Sequence, residues 1–145
     1  MRLPDLRYGF QLEVPLPYDR AVAVVKEALV GKGFGVLTEI DVRATMKQKL
    51  DVDFRPYAIL GACNPPLAHR ALSAELAIGL LLPCNVVVHA GDAPGTSVVA
   101  VLDPVAQLGV TGRDDIRPMA EQVRALMRDV LEDVERRAAL STVTA

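Results

Sequence analysis

The sequence predicts an α+β fold: a curved, mainly antiparallel sheet with helices packed on one face and a long C-terminal helix. Three observations carry that prediction. Short runs rich in β-branched and other apolar residues alternate with amphipathic stretches over the first half of the chain. Two valine-rich runs flank the turn Gly91-Asp92-Ala93-Pro94-Gly95, and residues 114–140 keep one unbroken three-and-four apolar spacing. The chain has 145 residues, near the commonest size for one domain, and shows no internal repeat, linker or low-complexity segment. It is therefore read as a single domain over residues 1–145, with a frayed tail over 140–145.

Residues 8–14 form a first strand closed by Pro15-Leu16-Pro17. Asp19 is placed to cap a helix running to Gly31 or Gly33, with Val22, Val25, Ala28 and Leu29 on one side. Gly33 ends that helix because glycine accepts the left-handed backbone of a helix terminus. Residues 34–40 make a short strand with Phe34, Val36 and Ile40 expected on one face. Asp41 is a second cap, for a short amphipathic helix in which Val42, Met46 and Leu50 share a side.

Residues 57–62 are a third strand, and Asn64-Pro65-Pro66 opens a helix through Leu76, since a cap followed by proline suits a first helical turn. Pro83 breaks the leucine run before it. Residues 84–90 and 96–103 form the hairpin and are apolar on both faces, which predicts a sheet covered twice, by helices on one side and a second subunit on the other. Residues 104–113 read as a glycine-containing loop. The final helix begins at Asp114 or Asp115 and carries the stripe Ile116, Met119, Val123, Leu126, Met127, Val130, Leu131 and Val134.

Composition narrows the partners. The 16 basic and 18 acidic residues are scattered, for a net charge of −2, and aromatic residues make up 4% with no Trp. A polyanion finds neither a basic field nor a stacking platform, so nucleic acid is not expected. The longest apolar stretch falls far short of the ~20 residues that span a bilayer, and the N-terminus lacks a signal-peptide pattern, so neither membrane nor export is expected. Two cysteines in a chain kept in the cytoplasm are read as free thiols. The 51% of apolar residues is rich for a monomer and points to a homodimer.

Walker loop, dinucleotide glycine fingerprint, HExxH, GxSxG and CxxC are all missing, so no common enzyme class is indicated. What stands out is a Cys-Asn pair at two strand ends, Cys63-Asn64 and Cys84-Asn85. Cys63 sits just before a helix start, whose free N–H groups favour a thiolate; the plain alternative is a small buried thiol closing a strand, with Asn64 a simple cap. Cys84 shares a face with Val86 and Val88 and points toward the core, leaving Asn85 on the opposite face. Cys63, His69, Cys84 and His89 are zinc-ligand types. Cys84 and His89, however, fall on opposite faces of one strand, and knuckle spacing is missing, so no metal site and no cofactor is predicted. His69 reads as a solvated side chain beside Arg70, and Asp103 as a carboxylate satisfying turn N–H groups.

The segments Lys32-Gly33-Phe34-Gly35-Val36-Leu37-Thr38-Glu39-Ile40-Asp41, Tyr57-Ala58-Ile59-Leu60-Gly61-Ala62-Cys63-Asn64-Pro65, Leu82-Pro83-Cys84-Asn85-Val86 and Asp103-Pro104 resemble, in this order, the domain of unknown function 302 family. The resemblance spans nearly the whole chain and stops before the tail beyond Leu140. It implies a sheet backed by helices, grouped with the TATA-binding-protein-like folds, and assembly as a homodimer; fold likeness does not bring DNA binding with it. It implies no activity, but it draws attention to the two Cys-Asn pairs.

Two functions are expected to compete. The first is a dimeric domain binding a small molecule in a pocket beside Cys63, Asn64, Pro65, Cys84 and Asn85. The second is thiol chemistry (redox, sulfur transfer or soft-metal handling), with Cys63 and Cys84 as the candidate catalytic groups. That alternative requires neighbouring sulfurs and access to Cys63.

Overall fold

The structure, a computed structural model, describes residues 1–144, and side chains as far as 141. In chain order it contains β1 (Gly9–Val14), α1 (Tyr18–Gly31), β2 (Gly35–Asp41), α2 (Val42–Leu50), β3 (Tyr57–Cys63) and α3 (Pro65–Ala74). A 3₁₀ segment (Leu76–Leu81) leads into β4 (Cys84–Ala90), β5 (Ser97–Leu102) and α4 (Pro104–Gly109); a short 3₁₀ turn (Asp114–Ile116) then precedes α5 (Arg117–Thr144). The five strands form one sheet in the order β1-β5-β4-β3-β2, and every neighbouring pair is antiparallel. Among the described residues no helix is long and apolar enough to cross a membrane.

Strand alternation sorts the sheet into two faces. Phe10, Leu12, Leu60, Val86, Val88 and Val99 point to one side and are buried there. α1 and α5 pack on that side, with Val24, Val25, Ala28 and Leu29 from α1 meeting Met127, Val130, Leu131 and Val134 from α5 in the core. Each fully buried Val, Leu or Met among them contributes about 1.5–3 kcal/mol, which is why the α5 stripe holds the longest helix against the sheet. The other face differs. The register sets Ile40, Ile59, Val87, Ala100 and Gln11 in one row across all five strands, and Ile59, Val87 and Ala100 are only half-buried.

α1 ends as expected. Gly33 takes φ +83°, and the amides of Gly33 and Phe34 donate to the carbonyls of Val30 and Leu29, a Schellman closure. Asp41 also caps α2, its Oδ1 accepting from the Ala44 amide at 2.9 Å. The start of α1 is different: Pro17 occupies the N-cap without a side-chain bond, and Asp19 lies inside the first turn, where its charge faces the positive helix end.

Two further expectations are corrected, and the short helix expected after Asp41 forms at the edge of the fold. Val36 and Ile40 do not share a face, because a β-bulge between Val36 and Thr38 shifts the register: Val36 packs on the core while Ile40 is exposed. α2 buries none of its residues, so its apolar spacing lies on the periphery. The span read as a loop after residue 103 contains α4, with Asp103 as its N-cap accepting from the Val105 amide at 2.9 Å and Pro104 opening the first turn. At the other end of the chain α5 continues to Thr144; of the expected frayed tail, Ala145 lies outside the described residues.

Candidate functional site

The end of β3, the start of β4 and the first turns of α3 and α4 converge at one end of the sheet. Asn64 and Asp103 are both side-chain caps followed by proline, and both helices therefore start close to the strands they leave. Asn64 Oδ1 accepts the Leu67 amide at 3.4 Å, and its Nδ2 lies beside Gly33. Between these elements is a cavity of about 290 Å³, open on one side. Phe34 and Leu37 supply one wall, Leu67, Ala68 and Leu72 of α3 another, and Met119 and Val123 of α5 the floor. Among the described residues no charged side chain lines it.

Both cysteines are in that wall. Cys63 closes β3 and Cys84 opens β4, where the register pairs Cys84 with Ala62, the residue before Cys63. Both are free thiols and half-buried. Burial pushes the Cys84 thiol up from 9.0 to about 11, and the neighbouring Cys63 adds to the rise. Cys84 is thus held protonated at neutral pH, since an apolar wall solvates a thiolate poorly. The Leu82–Pro83 peptide that leads into it is cis.

The predicted residues are not all gathered here. Cys63, Asn64 and Cys84 line the cavity; Pro65 is exposed at the first turn of α3, and Asn85 points to the opposite sheet face. There Asn85 borders a separate groove of about 280 Å³ with Tyr57 and His89. His89 stacks on Tyr57, ring centroids 5.3 Å apart, and its Nδ1 lies 2.9 Å from the Ala90 carbonyl oxygen. His69 is exposed on α3. Among the described residues no three His, Cys, Asp or Glu side chains come together as metal ligands. The lining residues Phe34, Leu72, Met119 and Val123 escaped the sequence reading as site residues, because a cavity wall and a packed core share one apolar periodicity.

An antiparallel sheet backed by helices, with two thiols in an apolar cavity at one end, defines an architecture without dictating a reaction. The family described as Domain of unknown function DUF302 matches residues 10–134, and the chain belongs to that family. Among solved structures, the uncharacterized conserved protein DUF302 from Bacillus stearothermophilus is similar at 27% identity and a TM-score of 0.79, over 87% of this chain and 97% of that one. No curated protein matches.

Proposed function

We propose that the protein is a cytoplasmic homodimer that binds a small molecule in the cavity beside Cys63, Asn64 and Cys84, without turning it over. One observation carries the reading: about 290 Å³ of concave, almost wholly apolar space, with an amide and two thiols in the wall. Binding sites have this composition, a greasy enclosure in which a few polar groups set orientation. The half-buried apolar row Ile59, Val87, Ala100 on the open sheet face supports the homodimer. The unpaired cysteines support a reducing compartment. Native mass spectrometry of the purified protein tests the reading: an adduct is expected on the wild type and is expected to vanish in Ala68→Phe, which fills the cavity from α3. A wild type that stays ligand-free and takes up no apolar fluorescent reporter counts decisively against it.

A second reading, thiol chemistry through Cys63 and Cys84, is favoured by the register that seats them on neighbouring strand ends. Its demand is chemical. Oxidation by a peroxide should convert the native protein to a species two hydrogens lighter that trypsin maps to a Cys63–Cys84 bridge; a mass gain of oxygen without bridging excludes Cys84 as the resolving thiol.

A further inference from the structure

We infer that the cavity selects an uncharged aliphatic amphiphile, with a chain on the order of ten carbons and a hydroxyl or carbonyl oxygen held by the Asn64 side-chain amide. The inference rests on the small-ligand reading above and specifies its chemistry. Size sets the length: about 290 Å³ holds roughly ten groups that each occupy the ~30 Å³ of a water molecule.

Wall shape sets the kind of body. Leucine and alanine dominate, and Phe34 is the one aromatic ring among the described lining residues, so an adaptable chain fits better than a flat ring system. Charge sets the head group. A carboxylate or phosphate drawn into such a wall must be paired, and no described lining residue is a cation. Of the basic side chains on the neighbouring elements, Arg113 is held by Asp115 and the Ala74 carbonyl oxygen, and Arg70 is exposed on α3. Asn64 has already committed its oxygen to the Leu67 amide, which leaves its Nδ2 hydrogens as the strongest side-chain donors among the described lining residues, beside the weak S–H donor of Cys84. Leu37 of the wall is 65% exposed, and Leu76 and Leu80, in the 3₁₀ segment that carries the lining residue Gly79, are 88% and 89% exposed.

The test uses the full chain, N-phenyl-1-naphthylamine as reporter, and two competitors of one chain length, 1-decanol and decanoate at pH 8. In the wild type 1-decanol should displace the reporter at a concentration at least tenfold below that of decanoate, and should slow iodoacetamide alkylation of Cys63 severalfold. Ala68→Lys, which brings a cation to the half-buried wall of α3, should raise the relative affinity for decanoate at least tenfold. If the reporter never binds, the small-ligand reading itself falls. If it binds and decanoate competes as well as 1-decanol in the wild type, the cavity stands and the ligand class is wrong. Should Ala68→Lys fail to fold, the alkylation result decides: displacement without protection of Cys63 puts the alcohol elsewhere and overturns the inference.

Discussion

Cys84 joins burial to chemistry most directly. Its thiol is pushed up to about 11 by burial first and by Cys63 second. The sign of the pH effect follows. Below the ordinary value of 9.0 the thiol is protonated in both the folded and the unfolded chain; above it the unfolded chain releases its proton while the fold holds on until about 11. Stability present below pH 9 therefore drains away as pH rises through that window, by about 2–3 kcal/mol. Cys84→Val should flatten this part of the pH–stability curve measured by urea unfolding, and an unchanged slope would remove Cys84 as its source. Gly61 sets a second condition near the site. A Cβ placed there would lie 2.2 Å from Thr38 Oγ1 and 2.8 Å from Pro83 Cγ, so Gly61→Ala should cost roughly 1–3 kcal/mol. Thr38→Ala in the same background should recover only part of that loss, because the Pro83 ring stays in the way; full recovery would show that Thr38 alone needs the space.

Between elements, the one strongly buried carboxylate among the described residues fastens α1 to α5. Asp133 is 8% exposed, accepts hydrogen bonds from Arg136 and Arg137, and Arg137 reaches on to Glu27 of α1 at 3.0 Å. Burial raises the Asp133 pKa, but the two guanidinium hydrogen bonds outweigh it and hold the carboxyl below its ordinary value. A depressed carboxylate contributes stability above the ordinary carboxylate range that is lost as pH falls through its folded value. Asp133→Asn should lower thermal stability at pH 7 by about 1–3 kcal/mol and by clearly less at pH 3; equal losses at both would show that shape, not charge, matters there. Periodicity made most elements legible, from the α5 stripe to the Schellman glycine at 33, because burial and capping write directly into residue spacing. α4 was equally written: Asp103-Pro104 is the same cap-then-proline signal as Asn64-Pro65, but the glycines after it suggested a loop. The bulge in β2 had no such signature, since one extra residue looks like any other until its partner strand is known. For the same reason the sequence could place Cys63 and Cys84 at strand ends, but only the β3–β4 register makes them neighbours.

At the scale of the molecule, the two sheet faces make different demands on the surroundings. One is sealed by α1 and α5; the other leaves Ile59, Val87, Ala100 and Leu102 half-buried, with Tyr57 and His89 stacked beside them. The sheet's outer edges are less inviting. The N-terminal residues pair along β1 through Arg2–Leu12 and the Glu13 amide to the Met1 carbonyl, while β2 carries a bulge and the charges of Glu39 and Asp41. The proposed second copy is therefore expected on the face and not at an edge, and face-to-face packing of two sheets brings the central strand of each over the other. Val87, in the middle of β4 and of the apolar row, becomes the residue on which the proposed dimer turns. Light scattering after size exclusion should return twice the chain mass for the wild type and the single-chain mass for Val87→Glu, because a carboxylate at the centre of a dry contact is desolvated without a partner. The half-buried position lets the variant fold, so its melting temperature at micromolar concentration should lose its dependence on protein concentration. A wild type of single-chain mass removes the dimer, and a Val87→Glu protein that still doubles moves the contact to another surface.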